Sequence, residues 1–561
     1  MILIKEREMK KYLVFALVGI LALGFVLGSC GEPEETTTTA PPSTSPTTTT
    51  TTAAPPTTTT TTAPPPTTTT TTPPTTEPVD KYGGVFINPL TVGPATPLGY
   101  PWEAAPDAYS LARHSLEALI GGNIEGEIVP ELATSWEVDT AALTITFHLR
   151  QGLKFHDGSD FDASDVVWCY EKVMAAGRAP DFESVTATDD YTVVVKVTEY
   201  TNVTLTNLTG GYFLIISPTA VEANGEDWAR NNPIGTGPFL FVEYERDSRL
   251  VFERNDDYWG KDADGNPLPY LDGLEYVVIA DETVRKLAFQ RGDIHRLAAT
   301  GIDAQELQAD GYNMISQTGG TMILIPDSAN PDSPFSNLLV RQAVSYAINR
   351  EALVEGLTYG FGRPAYQIYP GFEITRIPGL EITEYNPDKA RELLDLAGYS
   401  DGIDTTIHAF TRVVPRDYIT AICAMLDEVG IRTEPDFPEA GAYTELRYGG
   451  WSNSMMGHGY INFTNPNQLW GFYFDTSIAF PSMDVPQVLQ DAIDASLASI
   501  EPDPALVQAA LRIIAEQMIV IPYIEEVQTL FLRDGVHDPG AYVFSTAIFQ
   551  GDIAWLEPQL R

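Results

Sequence analysis

An α/β fold divided into two or more lobes is predicted by three observations. Strand-like and helix-like segments interleave along the chain, which favours mixed layers over separate all-α or all-β bodies. Composition becomes globular at Val79 and stays so to Arg561, a stretch too long for one ordinary core. What lies just before it cannot bury a core, because residues 31–78 are Thr and Pro with a few Ala, Ser and Glu.

The elements follow in order. Lys10 and Lys11 form a short basic segment, and residues 12–28 are almost wholly apolar. Small residues then lead into a cysteine at Leu27-Gly28-Ser29-Cys30. This pattern resembles a bacterial lipoprotein processing site, in which the cysteine thiol takes a diacylglycerol and becomes the first mature residue. A short transmembrane anchor is the alternative. Met9, followed by two lysines, reads as a better start than Met1. The Thr/Pro segment is expected to be disordered. Proline stiffens it toward polyproline II, and at about 3.1 Å per residue it reaches on the order of 100 Å or more. Threonine beside proline suits an O-glycosylated stalk and an unmodified spacer equally.

In the globular part, Leu143, Ile145, Phe147 and Leu149 alternate as in a half-buried strand, turned at Gln151-Gly152. Asp162 or Ser164 can cap a helix carrying residues 166–174. Alternation returns over 191–197 and 274–280, the latter followed by a helix through Leu287 and Ala288 that stops near Gly292. Asn386-Pro387 opens a helix with a cap and a first-turn proline, and Gly398 closes it. Residues 417–429 form an amphipathic helix stopped by Gly430. Cys169 and Cys423 each sit among apolar residues at helical spacing and read as buried. No internal repeat is evident.

Charge excludes some partners. The formal net charge is -43, which argues against nucleic acid and against attraction to anionic lipid. No CxxC, HExxH, GxSxG or Walker loop occurs. The seven histidines are scattered, so no catalytic set and no metal cage can be named, and no cofactor is expected.

Residues 130–174 read PELATSWEVDTAALTITFHLRQGLKFHDGSDFDASDVVWCYEKVM. The stretch resembles the signature region of the family 5 extracellular solute-binding proteins, the dipeptide-, oligopeptide- and nickel-binding receptors of ABC importers. Further segments resemble the family in order. These are Gly83-Gly84-Val85-Phe86, the Gly235-Thr236-Gly237-Pro238 crossing, Arg254-Asn255 through Trp259, the Val340-Arg341-Gln342-Ala343 helix and the Pro387-Asp388-Lys389-Ala390 helix. His156-Asp157-Gly158 matches the family's KFHDG turn, which is not a ligand-binding motif.

The resemblance implies a two-lobed, periplasmic-binding-protein-like clamp of the venus-flytrap type with an additional inserted subdomain. Residues 1–29 would be the signal peptide and 30–79 the tether. Lobe I would combine 80–113, 233–317 and 525–561, the inserted subdomain would be 114–232, and lobe II 318–524. Cys169 and Cys423 would then lie in different lobes, so no disulfide between them is expected. A monomer, lipid-anchored at Cys30 outside the cytoplasmic membrane, would hand a peptide or other small polar solute to membrane permease subunits. A stalked adhesion or sensory module is the alternative, as is a receptor for an oligosaccharide or a nickel chelate.

Family peptide receptors hold an α-amino group with an aspartate after a Met-Gly-Trp-like strand. The matching residues 455–466 contain no acid. That departure disfavours free dipeptides, since a buried ammonium needs a paired charge. Asn462, Thr464 and Asn465 offer neutral hydrogen bonds, Tyr460 and Trp470 offer flat faces, and His458 could meet a metal chelate. Arg416 falls near the family's carboxylate-binding arginine, a task that suits a guanidinium; a surface salt bridge with Asp417 or Asp427 is the alternative. Tyr100, Trp102, Tyr359, Phe361 and Tyr369 lie in loop-like stretches that the resemblance places near the cleft.

Overall fold

Alternation and capping build the first lobe. In Thr144–Leu149 the side chains of Ile145, Phe147 and Leu149 turn inward. This strand pairs with Ala133–Asp139 and Thr192–Val197, and Phe182–Asp189 completes a four-stranded antiparallel sheet. Helix Ala163–Ala175 buries Val166, Cys169, Tyr170 and Val173 against it. Asp162, rather than Ser164, caps that helix. Its carboxylate accepts from the Ser164 amide while Asp165 reaches back to the Asp162 amide, and this reciprocal pair satisfies donors the helix leaves open. The computed structural model describes residues 80–94, 97–123, 127–369, 373–380, 383–460, 463, 465–538 and 553–561.

A second four-stranded sheet runs Val85–Leu90, Gly273–Val278, Arg249–Arg254, Phe239–Glu245. It shares one continuous core with the first sheet, and Leu532, Val536, Ala554 and Leu556 from the end of the chain complete that core. Helix Glu282–Arg291 follows and stops at Gly292, whose φ of 89° suits a residue without Cβ.

Glu117 is buried in this lobe, 5% exposed. It accepts from Thr236 Oγ1 at 2.7 Å, and from the Tyr258 hydroxyl and Trp259 Nε1 at 3.1 Å each. The Gly-Thr-Gly-Pro and Arg-Asn through Trp segments therefore seat a buried carboxylate. Burial, then the Glu131 charge, pushes its carboxyl from 4.5 up to about 8 despite three donors. The folded state thus holds a proton that the unfolded chain has lost, so this group's contribution to stability falls as pH rises through that window. Glu117→Gln is expected to flatten the slope, read as a smaller drop in urea midpoint between about pH 5 and pH 8.

The second lobe is organised on a seven-stranded sheet. Its order is Arg296–Ala299, Ile521–Leu532, Asn313–Pro326, Met455–Tyr460, Ile403–Ala409, Ile431–Asp436, with Gly362–Pro364 also paired to Ile521–Leu532. Helix Pro387–Leu396 is capped by the Asn386 side chain on the Lys389 amide. Helix Arg416–Asp427 buries Ile419, Ile422, Cys423 and Leu426. Cys169 and Cys423 are both buried free thiols. Two cores, on opposite faces of the sheet, fill this lobe.

Strands Asn313–Pro326 and Ile521–Leu532 join the lobes. At one end Met314 and Phe531 pack in a small core with Leu297 and Phe289. At the other, Met322, Leu324, Ile521 and Ile524 belong to the second lobe. Their antiparallel register shifts between Thr318 and Thr321 and again between Met322 and Ile323. The paired crossing is therefore interrupted at Gly319-Gly320, between the two bodies. The chain forms the two-lobed α/β clamp that its sequence predicts.

Candidate functional site

The lobes are joined by the crossing strands Asn313–Pro326 and Ile521–Leu532. Near the crossing, Phe361 packs on the small fourth core, and its carbonyl accepts from the Val527 amide at 3.1 Å. Tyr359 is 47% exposed with a φ of 53°, and its ring lies beside Gly301.

An aromatic cluster lies behind the sheet end. Tyr460 is fully buried, with its ring centroid 4.1 Å from that of Tyr473. His458 is buried beside it, and Nδ1 meets the Tyr443 hydroxyl at 2.7 Å. Burial, then the Arg447 charge, holds this imidazole well below its ordinary pKa, so it is neutral and already engaged at one nitrogen. Among the described residues no group of three or more His, Cys, Asp or Glu could hold a metal ion. Tyr369 is buried and donates to the Phe463 carbonyl. Trp470 is buried and donates through Nε1 to Asn467 Oδ1 at 2.7 Å.

Other candidates lie apart from this cluster. Tyr100 is 2% exposed in the first-lobe core, its ring tilted against that of Trp102 with centroids 4.9 Å apart and the Arg230 guanidinium 5.0 Å from its ring. Arg416 is exposed at the start of its helix, with its guanidinium 3.9 Å from the Phe437 ring centroid and no salt bridge to Asp417 or Asp427. Asn462, Thr464 and Cys30 lie outside the described residues.

Asn465 joins a contact that sequence reasoning missed. Its amide donates to the Asn202 carbonyl at 2.9 Å and to Thr206 Oγ1 at 3.1 Å. The Asn202 side chain donates to the Ser496 carbonyl at 2.6 Å and Ser499 Oγ at 3.0 Å, and accepts from Asn467 Nδ2 at 3.0 Å. The Asn202 amide donates to the Leu497 carbonyl at 3.1 Å. Asn202 begins helix Val203–Leu208 of the first lobe yet makes no capping bond there. Its side chain faces the second lobe instead, so these bonds form a clasp between lobes.

A serine, a histidine and an aspartate also line up in the second lobe. His408 Nδ1 meets Asp436 at 2.7 Å and Nε2 meets Ser454 Oγ at 3.2 Å. His408 and Asp436 are direct partners on neighbouring strands. Ser454 is only 3% exposed and offers a substrate no open face, so this set is a cross-strand polar tie.

Two lobes, each with its own core, joined by an irregular strand pair make the fold of a two-lobed clamp. Residues 127–480 match the family described as bacterial extracellular solute-binding proteins, family 5, and the chain belongs to that family. It is 27% identical over 369 residues to heme-binding protein A of Haemophilus influenzae, covering 58% of this chain and 66% of that protein. It is 27% identical over 365 residues to di/tripeptide-binding protein 1 of Pseudomonas aeruginosa, covering 59% and 67%. The matched stretches thus span about two thirds of those relatives. In fold it is similar to NikA of Brucella suis, solved with Fe(III)-EDTA, with a TM-score of 0.72 at 22% identity over 84% of this chain and 98% of that one.

Proposed function

We propose that this chain is the solute receptor of an ABC importer, working outside the cytoplasmic membrane. It captures peptides or polar solutes of similar size between its lobes and hands them to membrane permease subunits. The observation that carries this reading is the hinged architecture: two bodies joined by a strand pair interrupted at Gly319-Gly320 and held together across their faces by the Asn202 clasp. A solute that touches both lobes favours the closed form, because only that form lets it make both sets of contacts. Relatives named for heme and for di- and tripeptides support a cleft whose ligand varies on a constant frame.

Lobe I is assigned to residues 80–113, 233–317 and 525–561, the inserted subdomain to 114–232 and lobe II to 318–524. Residues 1–29 are assigned as the leader, Cys30 as the lipid anchor and 30–79 as the tether of a monomer. Tyr359, Phe361, Arg416, Asn462 and Thr464 are assigned to the ligand side of the cleft. Tyr369, His458, Tyr460 and Trp470, buried at the end of the second-lobe sheet, are assigned to its supporting wall, Asn465 to the clasp, and Tyr100 and Trp102 to the first-lobe core rather than to ligand contact.

Native mass spectrometry of the protein purified without denaturant tests the reading, with scattering before and after the solute is removed. The expected result is a released set of masses spaced by amino-acid residues and a larger radius of gyration once it is gone. A protein that releases nothing and keeps one radius would count against a solute clamp.

A further inference from the structure

Helix Ala440–Gly449 of the second lobe turns only two side chains fully inward, Tyr443 and Arg447. They stand one turn apart on one face, where an amphipathic helix would carry apolar groups. Tyr443 is engaged: its hydroxyl donates to the Gly457 carbonyl at 3.2 Å and meets His458 Nδ1 at 2.7 Å. Arg447 is 8% exposed, and its guanidinium has neither a hydrogen-bond nor an ion-pair partner among the described residues. Its central carbon lies 5.0 Å from the Phe480 ring centroid and 5.5 Å from that of Tyr448. Glu445 does not serve it, because Glu445, Leu446 and Gly449 line a recess with His408 and Asp436 on the other side of the helix.

Two ring faces do not replace the hydrogen bonds that a guanidinium gives up on leaving water. Arg447 Nε is sealed from solvent with no partner, whereas neither Nη is sealed, so the outer end of the fork is what an incoming group can reach. Two more donors are sealed without a partner in the same aromatic cluster. Trp451 Nε1 belongs to a ring 6.4 Å from Phe480. The Tyr460 hydroxyl belongs to a ring 4.1 Å from Tyr473, which in turn stacks on Phe480 at 6.2 Å. The deficit is one-sided, because all three groups donate and none has found an acceptor. An unpaired cation at a core-facing position is costly, and it persists where a ligand supplies the counter-charge.

We propose that Arg447 is the anchor for a carboxylate of the solute. The proposal rests on the solute-receptor reading above and deepens it. It adds a cation that periodicity along the helix would have assigned to the core. Arg416 is exposed and meets an anion in competition with water, whereas Arg447 holds its charge among aromatic rings. There a planar fork can take both oxygens of a carboxylate with little screening.

The test uses the full chain, immobilised, with three probes: a tryptic digest of serum albumin, the same digest with every carboxyl converted to its methyl ester, and a mixture of succinate, citrate and glucuronate. Wild type is expected to retain the unmodified digest or the acid mixture and to let the esterified digest pass. Arg447→Met is expected to lose roughly ten- to a hundredfold in that retention, and Arg447→Lys, which keeps the charge without the fork, to keep part of it. Without solute, the Arg447→Met melting temperature should equal or exceed that of wild type, because an unpaired buried charge has been removed. A methionine variant that melts lower would mark the guanidinium as a structural cation held by the rings and would overturn the anchor. Equal retention of both digests, undiminished retention by Arg447→Met, or no retention of any acid would overturn it too. A co-purified solute without a carboxylate, released with a change in radius, would overturn the anchor and leave the receptor reading standing.

Discussion

Replacing Arg350 by methionine is expected to lower the stability of the second lobe by roughly 3–5 kcal/mol. Arg350 is 1% exposed and has no carboxylate partner among the described residues. Its guanidinium instead donates to backbone and hydroxyl oxygens on three sides. Nε reaches the Ala365 carbonyl at 2.8 Å and the Pro522 carbonyl at 2.9 Å. Nη1 reaches the Ser345 carbonyl at 3.0 Å, and Nη2 reaches Ser345 Oγ at 2.9 Å. These oxygens lie near the end of helix Leu338–Ala347, on the loop after Gly362–Pro364 and on the crossing strand Ile521–Leu532. Burial pulls the guanidinium down to about 10, with the Tyr366 and Glu351 charges opposing, so it stays cationic at neutral pH. Methionine fills much of the volume and satisfies none of the acceptors. Lysine keeps the charge but cannot reproduce the planar fork, so Arg350→Lys should recover less than half of the loss. Urea unfolding followed by tryptophan fluorescence measures both. A methionine variant within about 1 kcal/mol of wild type would show that these bonds are not what orders the region.

The second large effect belongs to the clasp. Asn202→Ala removes three side-chain hydrogen bonds across the lobes while taking no capping bond from its own helix. In an open form the same groups meet water, so the substitution acts on closure more than on folding of either lobe. Each buried bond contributes on the order of 1 kcal/mol, which predicts solute retention weakened roughly thirtyfold or more with little change in melting temperature. Scattering should show a larger mean radius without solute. An unchanged radius together with unchanged retention would mean the contact forms in every state and carries no part of closure.

How much of this was legible in the sequence varied with the range of the interaction. Caps and stops were legible because they are local: Asn386 on its helix, and Gly292 and Gly398 in left-handed backbone. Buried helix faces were legible because spacing alone places Cys169 and Cys423 inward. Tyr100 and Trp102 illustrate the limit. They lie in a loop-like, Pro-containing stretch, but the loop runs across the core and the rings pack inward. The clasp was hidden because Asn202 and Asn467 are 265 residues apart in sequence and nothing local distinguishes either from a turn residue.

The crossing strands also set an order of assembly. Ile521–Leu532 is not an edge strand added to a finished sheet; it lies between Arg296–Ala299 and Asn313–Pro326, and Leu532, Val536 and Leu556 fill the core of the first lobe. A chain emerging from its N-terminal end therefore cannot finish either lobe until this late segment arrives. Until then, one long edge of Asn313–Pro326 is unpaired and two apolar cores are open, which is the condition most exposed to wrong strand pairing. Native contacts across about two hundred residues are slow to form because loop closure precedes their reward. The strand pair that joins the two lobes is therefore among the last parts of the fold to form.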